Sequence, residues 1–219
     1  RPFVISKLPE NDWVDKVRRE LQPVEVGQFF VYGCHDKDKL PPERKGLLIE
    51  ASMAFGTGHH GTTVGCLKSL ENLSSSEFEA FNVVDIGCGT AILSLAAATL
   101  WPADVLAVDI DRVAIEVSKT NILKNGFEDR VLCIESDGLN HELVEKTAPF
   151  DLAIANILIN PLLSIAPSLS EYLAKEGYVI LSGILCKQVQ EILECYQALG
   201  MKLCDRLDIG GWSTLTLQR

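Results

Sequence analysis

No stretch of the 219 residues approaches eighteen consecutive apolar side chains, so the sequence encodes no transmembrane helix and no membrane partner is expected. The opening residues Arg1-Pro2-Phe3-Val4 supply neither an initiator Met nor the apolar core of a secretory signal, which raises the expectation that something upstream has been removed. Cys-x-x-Cys pairs are missing too: the seven cysteines (34, 66, 88, 133, 186, 195 and 204) are scattered and odd in number. That pattern argues against a disulfide framework and a structural zinc site, so no metal is expected and a reducing cytoplasm is the expected compartment. Cysteines within apolar runs, such as Val131-Leu132-Cys133-Ile134, read as small buried hydrophobes. Positive charge is scarce as well, with 20 Lys and Arg against 30 Asp and Glu and a net charge of −10. An acidic surface repels phosphate backbones, which disfavours a nucleic-acid substrate and suits basic proteins or small cationic molecules. There is no internal repeat and no low-complexity tract.

What is present reads as one α/β domain with a helical lead-in. A helix is expected over residues 9–21, opened by Pro9, with Trp13, Val14, Val17 and Leu21 at helical spacing. Short strands are expected at Gly27–Tyr32 and Leu47–Ala51, joined by the charged loop Asp36–Lys45. The Gly-rich run Phe55-Gly56-Thr57-Gly58-His59-His60-Gly61-Thr62-Thr63 then leads into a helix at about 62–72. From residue 80 the pattern is regular. Buried parallel strands are predicted at Asn82–Ile86, Asp104–Asp109, Val131–Ser136, Phe150–Ile157 and Gly177–Ser182. Helices alternate with them at Ala91–Leu100, Val113–Asn125, Leu162–Ala174 and Gln188–Leu199. Such alternation builds an open parallel sheet with helices on both faces. Lys202–Leu207 and Trp212–Leu217 look like a closing strand pair.

The first strand of the regular part ends Val83-Val84-Asp85-Ile86 and feeds the turn Gly87-Cys88-Gly89-Thr90-Ala91. Glycines at 87 and 89 allow a tight bend and the close approach of a ligand. A nicotinamide fingerprint, Gly-x-Gly-x-x-Gly, would require a third Gly where Ile92 stands, and Asp85 would repel a pyrophosphate. A carboxylate at this turn instead suits a cation, and the sulfonium and ammonium groups of S-adenosylmethionine are cationic. The turn resembles the acid-x-Gly-x-Gly-x-Gly motif of the Rossmann-like methyltransferases, with Ala91 in place of the last Gly. Two further acids end the next strands. Asp109 stands 22 residues beyond Gly87, where an acid accepts both ribose hydroxyls, and Asp111 then caps the following helix. Asp137 matches the acid that meets the adenine amine, with helix capping as its alternative role.

The segments flanking this core are Met53–Thr63, Asp151-Leu152-Ala153-Ile154-Ala155-Asn156-Ile157-Leu158, Asn160-Pro161-Leu162 and Leu181-Ser182-Gly183-Ile184-Leu185. Together they resemble the bacterial methyltransferases of ribosomal large-subunit protein eleven over roughly residues 10 to 219. That family's common loop is Phe-Gly-Thr-Gly-Thr-His-Pro-Thr-Thr, so this sequence departs at His59 and Gly61; Gly for Pro should loosen the loop. The resemblance implies a class I methyltransferase fold, with a mostly parallel seven-stranded sheet, helices on both faces and an antiparallel C-terminal strand. It implies S-adenosylmethionine as cofactor, with Thr63, Gly87, Asp109 and Asn156 among its contacts and the loop carrying Phe55 and Thr57 over its methionine end. Asp85, Gly89 and Asp137 join this expected cofactor set. It further implies a linker helix and lead-in over residues 1–45, with a substrate-recognition domain upstream, and the methyltransferase domain over 46–219. The implied substrates are lysine ε-amines and the N-terminal α-amine of a basic ribosomal protein.

Asn156 has a rationale of its own. At the carboxyl end of the fourth regular strand, its side-chain carbonyl is placed to accept from an amine N–H and aim the nitrogen lone pair at the methyl group. Ile157 and Leu158 form an apolar, non-aromatic wall suited to an aliphatic chain rather than a flat base. His60 is the candidate proton acceptor, with His59 beside it; hydrogen bonding to backbone or cofactor is the alternative for both. Competing readings are a methyltransferase for RNA or a small amine, and a non-catalytic domain that keeps the fold to bind a partner. The presence together of Gly87, Asp109 and Asn156 argues against the last.

Overall fold

The computed structural model describes residues 22–50 and 58–219. The helix expected over 9–21, and Phe55 and Thr57 of the Gly-rich loop, lie outside the described residues.

The described residues begin with a small sheet of three strands in the order β1 (Val24–Val26), β2 (Phe29–Tyr32) and β3 (Lys45–Leu48). The strand expected over Gly27–Tyr32 is broken at its start, because Gly27 takes a left-handed φ of 53° and turns the chain so that β1 runs antiparallel to β2. Gln28 N–H, exposed by that turn, donates to the Glu71 carboxylate at 2.8 Å. The strand expected over Leu47–Ala51 starts two residues early, since Lys45 already pairs in parallel with Phe29. This β2–β3 ladder crosses the expected boundary between residues 45 and 46.

The main body then runs α1 (Gly61–Ser74), β4 (Asn82–Ile86), α2 (Ile92–Leu100), β5 (Asp104–Asp109), α3 (Arg112–Asn125) and β6 (Val131–Glu135). It continues α4 (Glu142–Thr147), β7 (Phe150–Asn156), α5 (Ile159–Tyr172), β8 (Leu173–Leu185), α6 (Val189–Ala198), β9 (Lys202–Ile209) and β10 (Trp212–Gln218). The sheet has seven strands in the order β6-β5-β4-β7-β8-β10-β9, and β10 runs antiparallel to both its neighbours. The expected fold class is therefore the one observed.

Successive strand residues feed opposite faces. Val83 and Ile154 pack with Leu67, Leu70, Leu95 and Ile122 of α1, α2 and α3. Val84, Ala153 and Ala155 pack with Val144, Leu162, Leu169, Ile192 and Tyr196 of α4, α5 and α6. Both faces being covered explains why these strands are near-continuous apolar runs. On the second face Tyr196 is fully buried, and its hydroxyl donates to Leu162 O at 2.8 Å, joining α6 to α5.

Further elements of the main body differ from expectation. α5 begins at Ile159 instead of Leu162, because Pro161 falls in the first helical turn, where a missing N–H loses nothing. Its expected last residues, Leu173 and Ala174, belong instead to β8, which spans 13 residues. α4 has six residues, too few to show a period, and was not expected; His141 Nδ1 caps it by accepting Leu143 N–H at 3.0 Å.

From β4 the connections proceed outwards to β5 and β6 on one side, while β7 and β8 lie on the other. The order reverses between β4 and β7, and a ligand crevice opens beyond the carboxyl ends of strands at such a point. Ile86 pairs with Ala155, Asp109 with Glu135 and Asn156 with Ser182, so these strand ends stand side by side.

Candidate active site

A cavity of about 970 Å³ occupies this crevice. Gly87, Gly89, Asp109, Asp137, Asn156 and His60, all expected from the sequence, line it. The Gly87–Ala91 turn is anchored by Val108 O, which accepts Gly87 N–H at 2.8 Å and Cys88 N–H at 3.0 Å. Gly87 has φ 72°, and a Cβ there would stand 2.3 Å from Ile157 Cγ2, so a larger residue would be strained and would have to displace the Ile157 side chain. Ala91, which replaces the last Gly of the motif, still adopts the left-handed conformation at φ 63°.

Asp109 spans the turn and the next strand end. Its Oδ2 accepts Gly89 N–H at 2.9 Å and its Oδ1 accepts Asp111 N–H at 2.9 Å. Each oxygen keeps a second lone pair for a ligand hydroxyl. Asp111 caps α3 by accepting Val113 N–H at 2.8 Å, as expected of it. Asp137 is exposed at the cavity edge, and because His141 caps α4, the capping alternative for Asp137 falls away. Ile110, 68% exposed, also lines the cavity beside Asp109; sequence reasoning passed over it, although its place after a strand-end acid was a usable signal.

Asp85 is placed differently from expectation. It is 1% exposed, does not line the cavity, and points under the turn. Its Oδ2 accepts Ser94 N–H at 3.0 Å and Ser94 Oγ–H at 2.6 Å. Ser94 is the third residue of α2, whose N-cap, Ala91, has no side chain able to accept. Asp85 therefore caps α2 from the preceding strand, and any attraction it exerts on a cation acts through the turn rather than by contact. Burial raises its pKa from 3.8 to about 6, opposed by the two Ser94 bonds. Because the folded-state pKa is the higher one, the stability Asp85 contributes is complete below pH 4 and is lost as pH rises through 6. Asp85→Asn should remove this pH dependence. The stability difference between wild type and variant, from urea unfolding, should move against the wild type by roughly 2 kcal/mol between pH 4 and pH 7. A difference that stays flat across that range would contradict the assignment.

Asn156 ends β7, and its Oδ1 is buried without a hydrogen-bond partner among the described residues. The backbone after it is held by Gly183, whose φ is 83° and whose Cβ, if present, would lie 2.2 Å from Ile157 O. Beneath, Ser182 Oγ lies 2.8 Å from Thr214 Oγ1, tying β8 to β10. Leu158 is 70% exposed and lines the cavity next to Asn156. Thr63 is fully buried in α1 and does not line the cavity, where Thr62 does. Its Oγ1 has no hydrogen-bond partner among the described residues.

His60 is the N-cap of α1: its Nδ1 lies 3.4 Å from Thr62 N and 2.8 Å from Thr62 Oγ1. Its ring meets Trp212 edge-on at 5.0 Å, and both line the cavity. Trp212, read from the sequence only as a strand residue, thus belongs to the wall. His59 turns away, with Nε2 2.9 Å from Gln22 O. Gly61 is the first residue of α1, and Ile209 O lies 2.9 Å from where its Cβ would be. Close packing against the β9–β10 hairpin therefore accounts for Gly at this position.

These residues suit S-adenosylmethionine. Gly87 opens the turn to the cavity, the Asp109 carboxylate lines it, and the buried Asn156 carbonyl has no donor among the described residues. A family model described as "Ribosomal protein L11 methyltransferase (PrmA)" matches residues 2–219. A ribosomal protein L11 methyltransferase from Brucella suis is 43% identical over 216 residues, covering 99% of this chain and 75% of that one. Its counterpart from Agrobacterium fabrum is 40% identical over 219 residues, covering 99% of this chain and 75% of that protein. The crystal structure of a ribosomal protein L11 methylase from Lactobacillus delbrueckii subsp. bulgaricus superposes with a TM-score of 0.80 at 25% identity, covering 91% of this chain and 99% of that one. With this fold, this crevice and a match along nearly its whole length, the chain belongs to the ribosomal protein L11 methyltransferase family, enzymes that depend on S-adenosylmethionine.

Proposed function

We propose that this enzyme, in the cytoplasm, methylates lysine ε-amines and the N-terminal α-amine of ribosomal protein L11. The observation that carries the reading is the buried Oδ1 of Asn156 at the carboxyl end of β7, without a partner among the described residues. An acceptor amine is a donor of the kind this atom lacks.

When bound, the cofactor supplies a methyl group on a sulfonium, open to direct in-line displacement by an amine. The chain's own residues then have separable tasks. Asp109 accepts the ribose hydroxyls with the lone pairs left beside Gly89 and Asp111. Ile110 gives the adenine an apolar surface and Asp137 accepts its amine. Asn156 Oδ1 accepts an N–H of the target amine and fixes the direction of its lone pair. Ile157 and the exposed Leu158 flank the aliphatic part of a lysine. A free lysine has a pKa of about 10.4. Enclosure beside a sulfonium cation favours the neutral amine that attack requires. The chain's net charge of −10 favours a basic acceptor protein over RNA.

The Nδ1 contacts of His60 tie it to the start of α1, which supports a wall and capping role, with the proton leaving through water. His60→Ala should lose about 1 kcal/mol of stability through the lost cap. Its methylation rate should keep the wild-type dependence on pH; loss of an ionisation from the pH–rate profile would make His60 the base instead. The whole proposal is tested by mass spectrometry of ribosomal proteins incubated with the enzyme and S-adenosylmethionine. Methyl groups added to lysines and the N-terminus of L11 support it, and their absence from L11 overturns it.

A further inference from the structure

We infer that Asn121 is a positioning residue for the cofactor turn, setting the affinity for S-adenosylmethionine without touching it; this rests on the Gly87–Ala91 turn being the cofactor site. The turn is held from the sheet side by Asp109, through Gly89 N–H. From the helix side it is held by α3. Ser118 Oγ–H donates to Gly89 O at 2.8 Å and Asn121 Nδ2–H donates to Thr90 O at 3.0 Å. Both residues are fully buried and stand three apart, on one face of the helix, so two consecutive turn carbonyls meet two consecutive donors.

Asn121 does one thing more. Its Oδ1 accepts Glu50 N–H at 3.2 Å, so a single amide bridges the cofactor turn and the chain leaving β3. Only an amide offers a donor and an acceptor in this arrangement; an Asp keeps the acceptor and sets a carboxylate against Thr90 O. Buried bonds of this kind fix main-chain position because the alternative is an unmet polar group in a low-dielectric interior. Glycines at 87 and 89 leave the turn little stiffness of its own. The directions of its N–H groups and the width of the Gly87 corner therefore depend on what grips it from outside.

Asn125, one helical turn on, supplies a matched comparison within the same helix. Its Oδ1 accepts Leu48 N–H at 2.9 Å, and its Nδ2 donates to Leu48 O at 2.8 Å and Asn121 O at 2.7 Å. It binds the end of β3 through two bonds, where Asn121 makes one to Glu50, yet has none to the turn. If Asn121 were merely part of the packing between α3 and residues 48–50, the two asparagines would behave alike.

The test measures S-adenosylmethionine binding by calorimetry, alongside urea unfolding, for the wild type, Asn121→Ala, Asn121→Asp and Asn125→Ala. Both alanine variants should unfold at lower urea. Asn121→Ala should bind the cofactor about tenfold more weakly and Asn125→Ala within about twofold of wild type. In steady-state assays the KM for S-adenosylmethionine should rise for Asn121→Ala, while kcat at saturating cofactor stays within about threefold. Asn121→Asp retains the Glu50 bond, so a loss of affinity as large as that of Asn121→Ala places the effect at Thr90 O. The inference is overturned if Asn121→Ala binds as the wild type does, or if Asn125→Ala weakens binding equally. Should Asn121→Ala not fold, Asn121→Ser against Asn125→Ser makes the same comparison. Failure of the wild type to bind defeats the cofactor site itself and is distinct from a loss confined to Asn121 variants.

Discussion

Asn156→Ala should lower the maximal rate of methyl transfer by about 100- to 1000-fold while leaving the fold as stable as before or more so. The two halves of this expectation have one cause. Oδ1 of Asn156 is buried without a partner among the described residues, a situation that costs about 1–3 kcal/mol. Removing the amide removes that cost along with the acceptor proposed to orient the target amine. Destabilising variants usually confuse loss of activity with loss of folded protein; here the two should move in opposite directions. Single-turnover methylation at saturating cofactor measures the first, and urea unfolding without ligand the second. A rate within threefold of wild type would sink the assigned role. A clear loss of stability would show that Oδ1 has a structural partner in solution.

Gly183→Ala should be nearly as damaging, by a different route. The added methyl would lie 2.2 Å from Ile157 O, 2.8 Å from Ile157 C and 3.0 Å from Ile157 N, all main-chain atoms. No rotamer change relieves such an overlap, so the Asn156–Leu158 segment must move. The residue must also hold φ near 83°, where an alanine is strained by about 1–2 kcal/mol. A displacement of about 1 Å at Asn156 is enough to cost on the order of 100-fold in rate. We expect kcat to fall by about that factor, with a stability loss of about 2–4 kcal/mol. Cofactor affinity should fall less than the rate, because Asp109 and the Gly89 amide stand across β4 from the disturbance. Activity unchanged in a folded Gly183→Ala protein would mean that the Asn156 turn tolerates displacement and does not aim the acceptor.

Much of the cavity's lining was legible before any coordinates, for a simple reason. Buried parallel strands appear as apolar runs, and the functional groups stand where those runs stop. Asp109, Asn156 and the Gly87–Gly89 turn all follow from that rule, and all line the cavity. Asp85 obeys it less well because it lies inside the strand, one residue before its end. Alternation along β4 puts Asp85 on the side of Val83, under α2, and Val84 and Ile86 on the other. Spacing to the glycines could not reveal this, but strand parity could. Trp212 and His60 meet across an interface between α1 and β10, 152 residues apart in sequence, and no local pattern encodes that contact. Nor does any single-segment pattern disclose the Asn121 bridge. It joins a helix to two loops, and from the sequence alone it was one polar residue on a mostly polar helix.

The place of β10 has a consequence for how the polypeptide comes off the ribosome. β10 follows every other described strand in chain order, yet it lies inside the sheet, between β8 and β9. Until residues 212–218 have emerged, β8 is an open edge and β9 has no strand to pair with. A nascent chain that has completed β4 through β8 would therefore present an apolar strand edge to its surroundings. Trp212 would also be missing from the cavity wall. Residues 212–218 are thus the segment that seals the sheet, and translation must pass β10 before β8 and β9 are joined.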